Sequence, residues 1–170
     1  MGSGSYGPYS GTRGGSQQYA ERYHVIEKEL NKDKQDSDIY NSEKGYFKNP
    51  TAQNLTDAMT PTSVVFEGKS AEGKMTYVMD TNGDFIFGKR ANPNNARKRA
   101  PYPTLIGGKD PQVQCAGMIT FRKGRILSID NQSGHYRPDS KSLEKVDTAL
   151  KKLFEKYPDS FDKLSKWRKE

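Results

Sequence analysis

The stretch TYVMDTNGDFIFGKR, residues 76–90, decides the fold. It covers most of two runs of alternating apolar residues. The first run is Met75 to Asp80, the second is Asp84 to Lys89, and Thr81-Asn82-Gly83 lies between them. Asn-Gly between two such runs is the strongest short-range signal of a β-hairpin, because both central residues of the tight turn need positive φ. The stretch therefore predicts two neighbouring antiparallel strands.

Further strands are predicted on both sides of this hairpin. Ser63 to Lys69 has the period of a strand, and Arg125 to Asp130 returns after a turn at Lys123-Gly124. Another strand carries four residues that we expect on one face: Val113, Cys115, Ile119 and Phe121. Residues 61–138 therefore predict a four- to five-stranded, mainly antiparallel sheet.

Helical patterns precede the sheet. From Gln18 to about Lys34, apolar residues recur at helical spacing. Asn49-Pro50-Thr51 resembles a helix cap with proline at the first helical position, and it predicts a short helix. The residues of this helix that we expect to be buried are Leu55, Ala58 and Met59.

Helical patterns also follow the sheet. Ser140 to Tyr157 predicts a helix capped by Asp139 or Ser140, and Asp159 to Trp167 predicts a short last helix. The apolar stripe of the first of these is Leu143, Val146, Leu150, Leu153 and Phe154. Helices, then strands, then helices indicate an α+β fold. We expect one domain over 18–170, with a helical subregion at 18–60, the sheet at 61–138 and C-terminal helices at 139–170.

Composition narrows the possible classes. The chain has 170 residues, a net charge of +7 and 32% hydrophobic residues. No apolar run is long enough for a membrane-spanning helix or a usual signal peptide. Residues 1–17 are mostly Gly, Ser and Tyr, which is typical of a linker or arm. The single cysteine, Cys115, excludes an intrachain disulfide and a thiolate zinc site, and its apolar surroundings predict a buried, inert thiol. We expect no metal site and no cofactor.

A basic segment is the first candidate for function. Between Asp84 and Asp110 the chain has no acidic residue, and Arg90 to Pro111 has the prolines and glycines of a long loop. The candidate substrate-binding residues here are Lys89, Arg90, Arg97, Lys98, Arg99, Lys109, Tyr102 and Thr104. Cations interleaved with an aromatic ring and a hydroxyl favour a phosphate-binding surface, and a solvated basic loop is the alternative.

The second candidate is NQSGHYRP, residues 131–138, where the last strand ends. Alternation along a strand would place His135 and Arg137 on one side and Tyr136 on the other or in the core. His135 suits acid–base chemistry near neutral pH, Arg137 suits a phosphate, and Ser133 offers a hydrogen bond. The alternative is that His135 binds a loop carbonyl and Tyr136 is a core residue.

Several stretches resemble the C-terminal toxin domains of bacterial polymorphic toxins of the Rhs and contact-dependent type. They are YSGTRGGS, IYNSEKGYFKNPT, TYVMDTNGDFIFGKR, PYPTLIGGKDPQVQCAGMI and IDNQSGHYRP. The resemblance implies delivery within a larger secreted protein, action in the cytoplasm of a target cell, and a cognate immunity protein. Opposite charge would make that partner acidic. The stretch AGMITFRKGRILSIDNQSGHYRP also resembles a segment of plant calmodulin-binding IQ-motif proteins.

Three functions are compatible with these residues. A metal-independent ribonuclease would use His135 as base, Arg137, Lys89 and Arg90 as cations, Tyr102 or Tyr136 as a stacking surface, and His24 or a tyrosine as acid. An ADP-ribosyltransferase would bind NAD as substrate through Arg90, His135 and Tyr136, with Glu67 as its carboxylate. A non-catalytic binding domain is the third. We rank the ribonuclease slightly ahead of the transferase.

Overall fold

The elements of the fold come from a computed structural model, which describes residues 17–92 and 95–169, the side chains of 91–99 and of residue 169 excepted. In chain order they are α1 (Glu27–Asp33), β1 (Tyr40–Asn41), β2 (Gly45–Tyr46), β3 (Gln53–Asn54), α2 (Leu55–Ala58), β4 (Val65–Phe66), β5 (Lys69–Ser70), β6 (Gly73–Asp80), β7 (Phe85–Gly88), β8 (Ala91–Asn92), β9 (Asn95–Arg99), β10 (Val113–Arg122), β11 (Arg125–Ile129) and α3 (Ser140–Lys156). Short 3₁₀ turns lie at Tyr102–Leu105, Pro158–Ser160 and Lys166–Lys169.

Five strands form the main sheet in the order β11-β10-β6-β7-β3, and every neighbouring pair is antiparallel. Three two-stranded ribbons accompany it: β1–β2, β4–β5 and β8–β9. Helices with a mainly antiparallel sheet confirm the predicted α+β class. Within residues 17–92 and 95–169, no helix has the length and apolar character needed to cross a membrane.

Both faces of the sheet are covered. One face packs against Val146 and Leu150 of α3, as its apolar stripe predicts, and against Phe161 and Trp167 near the C-terminus. The other face packs against Tyr23 and other residues of the N-terminal segment, the 3₁₀ turn at 102–105, and the 131–138 loop. Residues Met75 to Met79 of β6 are therefore all buried, since side chains of both orientations meet a core.

The hairpin between β6 and β7 confirms the prediction from residues 76–90, but its turn is longer than a two-residue turn. Asp80 N donates to Asp84 O at 2.8 Å, so three residues form the loop. Only Gly83 of these has positive φ, at 88°. The Asp80 carboxylate accepts from the backbone N of Asn82 and of Asp84 at 2.9 Å each, which stabilises this wider turn.

The predicted N-terminal helix from Gln18 to Lys34 is wrong over its first half. Residues 18–26 do not form a helix, because Tyr23 and Val113 exchange backbone hydrogen bonds of 2.7 and 3.1 Å. The helix α1 begins only at Glu27. The predicted arm lies outside the described residues except for Gln17, whose backbone N donates to Arg137 O at 2.6 Å.

Two further helix predictions need correction. The second helix is capped by Asn54, which accepts from Thr56 N, while Asn49 accepts from Thr51 in a separate turn. Leu55, Ala58 and Met59 are buried as predicted. The last helix, predicted from Asp159 to Trp167, is absent from the described residues; two 3₁₀ turns flank an extended segment where Phe161 pairs with Ile126.

The strand predictions differ in three places. Residues 63–69 form the small β4–β5 hairpin, turned by Glu67 and Gly68 at positive φ. The β10 strand has a bulge between Val113 and Cys115, so Val113 joins the core on the opposite face from Cys115. The predicted loop from Arg90 to Pro111 contains the β8–β9 ribbon and a 3₁₀ turn.

Candidate functional site

A cleft of about 230 Å³ lies on the sheet face that carries the N-terminal segment. Its lining residues come from three separate parts of the chain: Thr76, Arg90, Ala100, Pro101, Tyr102, Gln132, Gly134 and His135. Arg90, Tyr102 and His135 were predicted as site residues from two different segments of the sequence. The fold brings these three together, with Thr76 of β6 on the sheet beside them.

A compact loop positions His135. Residues 134–136 form a turn in which Arg137 N donates to Ser133 O at 2.7 Å, so the segment is not a continuing strand. Asn131 Nδ2 donates to Pro138 O at 2.9 Å and ties the two ends of the loop together. His135 O accepts from Ile26 N at 2.8 Å, which joins the loop to the N-terminal segment.

The imidazole of His135 is held by a carboxylate that the sequence did not reveal. His135 Nε2 lies 2.8 Å from Asp33 Oδ2 and 3.9 Å from Glu29 Oε1, both on α1. The His135 side chain is only 16% exposed. One ring nitrogen is thus engaged by α1 while the residue also lines the cleft.

Tyr46 completes this buried group. Its hydroxyl donates to Asp33 Oδ2 at 2.6 Å, the same oxygen that contacts His135. Burial, and then the hydrogen bond to Asp33, raise the pKa of Tyr46 far above its ordinary value, so the phenol stays a donor. Asp33 stands in a polar run with Asp36 and Asp38. Nothing local in the sequence distinguishes it from these neighbours.

Tyr102 is positioned by the prolines around it. Pro101 precedes the 3₁₀ turn that Tyr102 opens, and Pro103 follows within it, which fixes the backbone locally. The Tyr102 hydroxyl donates to Gln132 O at 3.2 Å, so the ring is tied to the His135 loop. Arg90 follows β7 and is exposed at the cleft.

Three predicted site residues are internal to the fold. Tyr136 is fully buried and its hydroxyl donates to Pro111 O, so it cannot serve as a stacking surface or touch a substrate. Its burial raises its pKa well above the ordinary value. The Ser133 hydroxyl is buried and accepts from Tyr136 N at 3.3 Å. Thr104 is buried and donates to Pro101 O at 2.6 Å. These residues shape the loops, and their predicted contact roles are wrong.

Three further predicted cations, Lys89, Lys109 and Arg137, are not lining residues of the cleft. Lys89 Nζ pairs with Glu67 Oε1 at 2.6 Å, and Glu67 lies on the β4–β5 turn. Lys109 lines a different cleft, beside Arg22 and Asp110. Arg137 is half-buried at φ 43° and does not share the wall with His135, because the turn replaces the predicted strand alternation.

The side chains of Arg97, Lys98 and Arg99 lie outside the described residues, and their backbone forms β9. Their role as phosphate contacts stays a prediction.

His24 lies in the extended part of the segment that was predicted to be helical. Its side chain is 64% exposed, and its Nδ1 lies 2.9 Å from Asp110 Oδ1. It is not a lining residue of the His135 cleft, which removes it as the general acid there. Cys115 is buried as predicted, and burial raises the pKa of its thiol to about 12.

Across the described part of the chain, no group of three His, Cys, Asp or Glu side chains is placed to hold a metal ion. In comparisons with known proteins, no family model, curated protein or solved structure matches this chain. The candidate site is therefore defined by its own geometry.

Proposed function

We propose that this chain is the toxic domain of a bacterial polymorphic toxin and that it cleaves RNA without a metal ion. The observation that carries the proposal is the convergence of His135, Arg90 and Tyr102 on one cleft. A base and a cation can serve the chemistry of cleavage at an RNA phosphodiester, and an aromatic ring can bind a base by stacking. The net charge of +7 favours a polyanionic substrate.

Each of the three residues has a distinct role. His135 takes the proton from a ribose 2′-hydroxyl, the 2′-oxygen attacks the adjacent phosphorus, and the bond to the 5′-oxygen breaks. Arg90 stabilises the charge that develops on the phosphate oxygens, and Tyr102 stacks on a base. The products are a 2′,3′-cyclic phosphate and a 5′-hydroxyl.

The 5′-oxygen takes its proton from water in this proposal. Among the described residues, the cleft wall has no second histidine and no carboxylate to act as a general acid. A positioned acid typically contributes about 10²- to 10⁴-fold to a rate. We therefore expect a slow ribonuclease. Its effect in a cell then depends on cutting RNA molecules that are each used in many rounds of translation.

ADP-ribosyl transfer is the second candidate, because residues of the same cleft also suit the parts of NAD. Arg90 suits the phosphates of NAD, Tyr102 suits the nicotinamide ring, and His135 suits a ribose hydroxyl. The carboxylate assigned to this reaction, Glu67, pairs with Lys89 and does not line the cleft. This placement ranks the transferase second. A domain that binds without catalysis is the third reading.

The proposal extends to delivery and to a partner. The domain would be exported by the producing bacterium as part of a larger toxin and would act in the cytoplasm of the target cell. An acidic immunity protein would neutralise it, because charge complementarity accelerates association with a +7 domain. Induced expression in bacterial cytoplasm should stop growth, and co-expression of a protein encoded beside it should restore growth. Normal growth with abundant folded domain would contradict a toxin.

The reaction is tested with total RNA in EDTA, with and without NAD. We expect cleavage without NAD that leaves 2′,3′-cyclic phosphate ends. His135→Ala should abolish it, and His24→Ala should retain it as the matched control. Intact RNA with NAD-dependent labelling of a protein or nucleic acid would favour the transferase. Intact RNA without labelling would leave the non-catalytic binding domain as the remaining hypothesis.

A further inference from the structure

We infer that Asp33 and Tyr46 are positioning residues that fix the tautomer of His135, with the proton on Nε2 and the free lone pair on Nδ1. The inference rests on the proposed function for its catalytic meaning, and on geometry for the tautomer itself. Neither residue is a lining residue of the cleft, so both act through His135.

The hydrogen-bond pattern determines which nitrogen carries the proton. Asp33 Oδ2 lies 2.8 Å from His135 Nε2, and an ionised carboxylate can only accept. Tyr46 donates its hydroxyl to the same oxygen at 2.6 Å, and its raised pKa keeps that proton on the phenol. The Asp33 carboxylate oxygen thus has only acceptor capacity to offer to both neighbours. Neutral His135 must therefore donate through Nε2.

The same part of α1 also places two carboxylates beside the ring that the proposed reaction protonates. Once Nδ1 has taken the proton of a 2′-hydroxyl, the ring is a cation. Asp33 then forms an ion pair with it at 2.8 Å, and Glu29, one helical turn earlier on α1, places a second carboxylate 3.9 Å from the same nitrogen. The proton moves from the hydroxyl to Nδ1, and no other bond of the protein changes.

Rigid elements hold these groups in place. Asp33 is 6% exposed and Tyr46 is 3% exposed. The Tyr46 ring packs edge-on against Tyr40 at 5.1 Å between centroids, and its backbone bonds Gly108 in both directions. A packed ring and a paired backbone leave the hydroxyl little freedom, so the carboxylate and the imidazole keep one arrangement.

The tautomer can be measured directly, because the chain has only two histidines. ¹⁵N spectra of the purified full chain, labelled at histidine, distinguish a protonated ring nitrogen from an unprotonated one. His24→Gln assigns the signals by removing one set. At a pH where His135 is neutral, we expect its Nε2 in the protonated range and its Nδ1 in the unprotonated range. An Nδ1–H tautomer would overturn the inference.

Two variants connect the tautomer to the reaction. Asp33→Asn keeps the shape but offers both a donor and an acceptor, so the Nε2–H form should no longer dominate, and kcat on RNA should fall about 10²- to 10⁴-fold with KM little changed. Tyr46→Phe keeps the ring and removes one donor; we expect a smaller fall of roughly tenfold in kcat. Asp33→Glu, which retains a carboxylate, should recover part of the loss.

The outcomes separate this inference from the proposed function. Wild-type protein that shows the Nε2–H tautomer but cleaves no RNA would contradict the ribonuclease and retain the positioning role. Active protein in which Tyr46→Phe and Asp33→Asn leave both the tautomer and kcat unchanged would overturn the positioning role and retain the ribonuclease. If Asp33→Asn does not fold, the Tyr46→Phe spectrum and kcat decide alone.

Discussion

Arg90 is the only cationic residue among the described lining of the His135 cleft, and it is exposed there. Replacing it with glutamine removes the positive charge that stabilises the phosphate in the proposed reaction. We expect kcat/KM on RNA to fall roughly 10- to 100-fold, the range of a lost hydrogen bond to a charged group. The control is Arg22→Gln, which removes the same positive charge from an exposed residue beside a different cleft. Equal effects of the two variants would contradict a specific role.

The Arg122–Asp162 pair gives a pH-dependent contribution to stability. Arg122 donates from Nε and Nη2 to the two carboxylate oxygens at 2.8 and 2.7 Å. Burial acts to raise the pKa of Asp162, but the hydrogen bonds from Leu164 N and Arg122 outweigh it and lower the pKa. A lowered folded-state pKa stabilises the protein above the unfolded value of about 4 and loses that effect as pH falls through the folded value.

Arg122→Met should therefore lower the free energy of unfolding by about 1 to 3 kcal/mol near pH 7. The difference from the wild type should shrink as pH falls below about 4, where the Asp162 carboxylate becomes protonated. Urea unfolding between pH 3 and 7 measures this. Lys163→Met removes the same charge from an exposed position and should show no such pH dependence. If the difference in free energy of unfolding between the wild type and Arg122→Met does not change with pH, packing rather than charge explains the loss.

At the residue scale, the sequence indicated side chains suited to the proposed chemistry better than it indicated which residues contact each other. His135, Arg90 and Tyr102 were predicted as site residues because a histidine, a cation and an aromatic ring stand out in their segments, and all three line one cleft. Asp33 was missed because its contact with His135 joins residues that are 102 positions apart. Tyr136 was overvalued, because a tyrosine beside a histidine looks the same in sequence whether its ring faces solvent or the core.

The β1–β2 ribbon fits against the 107–108 loop only because Gly45 lacks a side chain. Gly45 has φ 86°, and a Cβ there would lie 2.3 Å from the backbone carbon of Gly108. Gly68 has φ 81° with nothing within 4 Å of its added Cβ. Gly68→Ala should cost only the strain of positive φ, about 1 to 2 kcal/mol. Gly45→Ala should cost at least about 1 to 3 kcal/mol more, since backbone must move.

Thermal and urea unfolding of these two variants isolate the steric part of the cost. Their φ values are matched, so the difference reports the close approach to Gly108 together with any displacement that it causes. Equal destabilisation would show that the ribbon can shift away from Gly108 without loss. Because β2 also carries Tyr46, Gly45→Ala should additionally disturb the group around Asp33.

At the element scale, the sheet was predictable and the irregular segments were not. Strand alternation and the Asn-Gly signal located β6, β7, β10 and β11, because these strands have the local period of a sheet. The segment 18–26 has helical spacing in its apolar residues but lies extended, since its pairing with β10 satisfies its backbone instead. The bulge near Gln114 reverses the face of Val113, and no local pattern signals such an insertion.

Tyr23 links the N-terminal segment to the start of α3. Its buried hydroxyl accepts from Asp139 N at 3.1 Å and from Ser142 Oγ at 2.9 Å, where α3 begins. Tyr23→Phe keeps the ring but leaves these buried donors without their acceptor, which should lower the free energy of unfolding by about 1 to 3 kcal/mol. Urea unfolding measures the effect. Tyr19→Phe, an identical change at an exposed ring, should have almost none. Similar losses in both would contradict this linking role.

The 102-residue separation between Asp33 and His135 also has a kinetic consequence. Contacts between distant parts of a chain form slowly, because closing a long loop costs entropy before the new contacts contribute any favourable free energy. During synthesis, the N-terminal segment has to wait for β10 and the 131–138 loop before Tyr23, Ile26 and Asp33 find their partners. The imidazole of His135 is thus oriented only in the last stage of folding. If the chain is the proposed toxin, a nascent chain that has not yet released its C-terminal third would therefore be harmless to the cell that makes it.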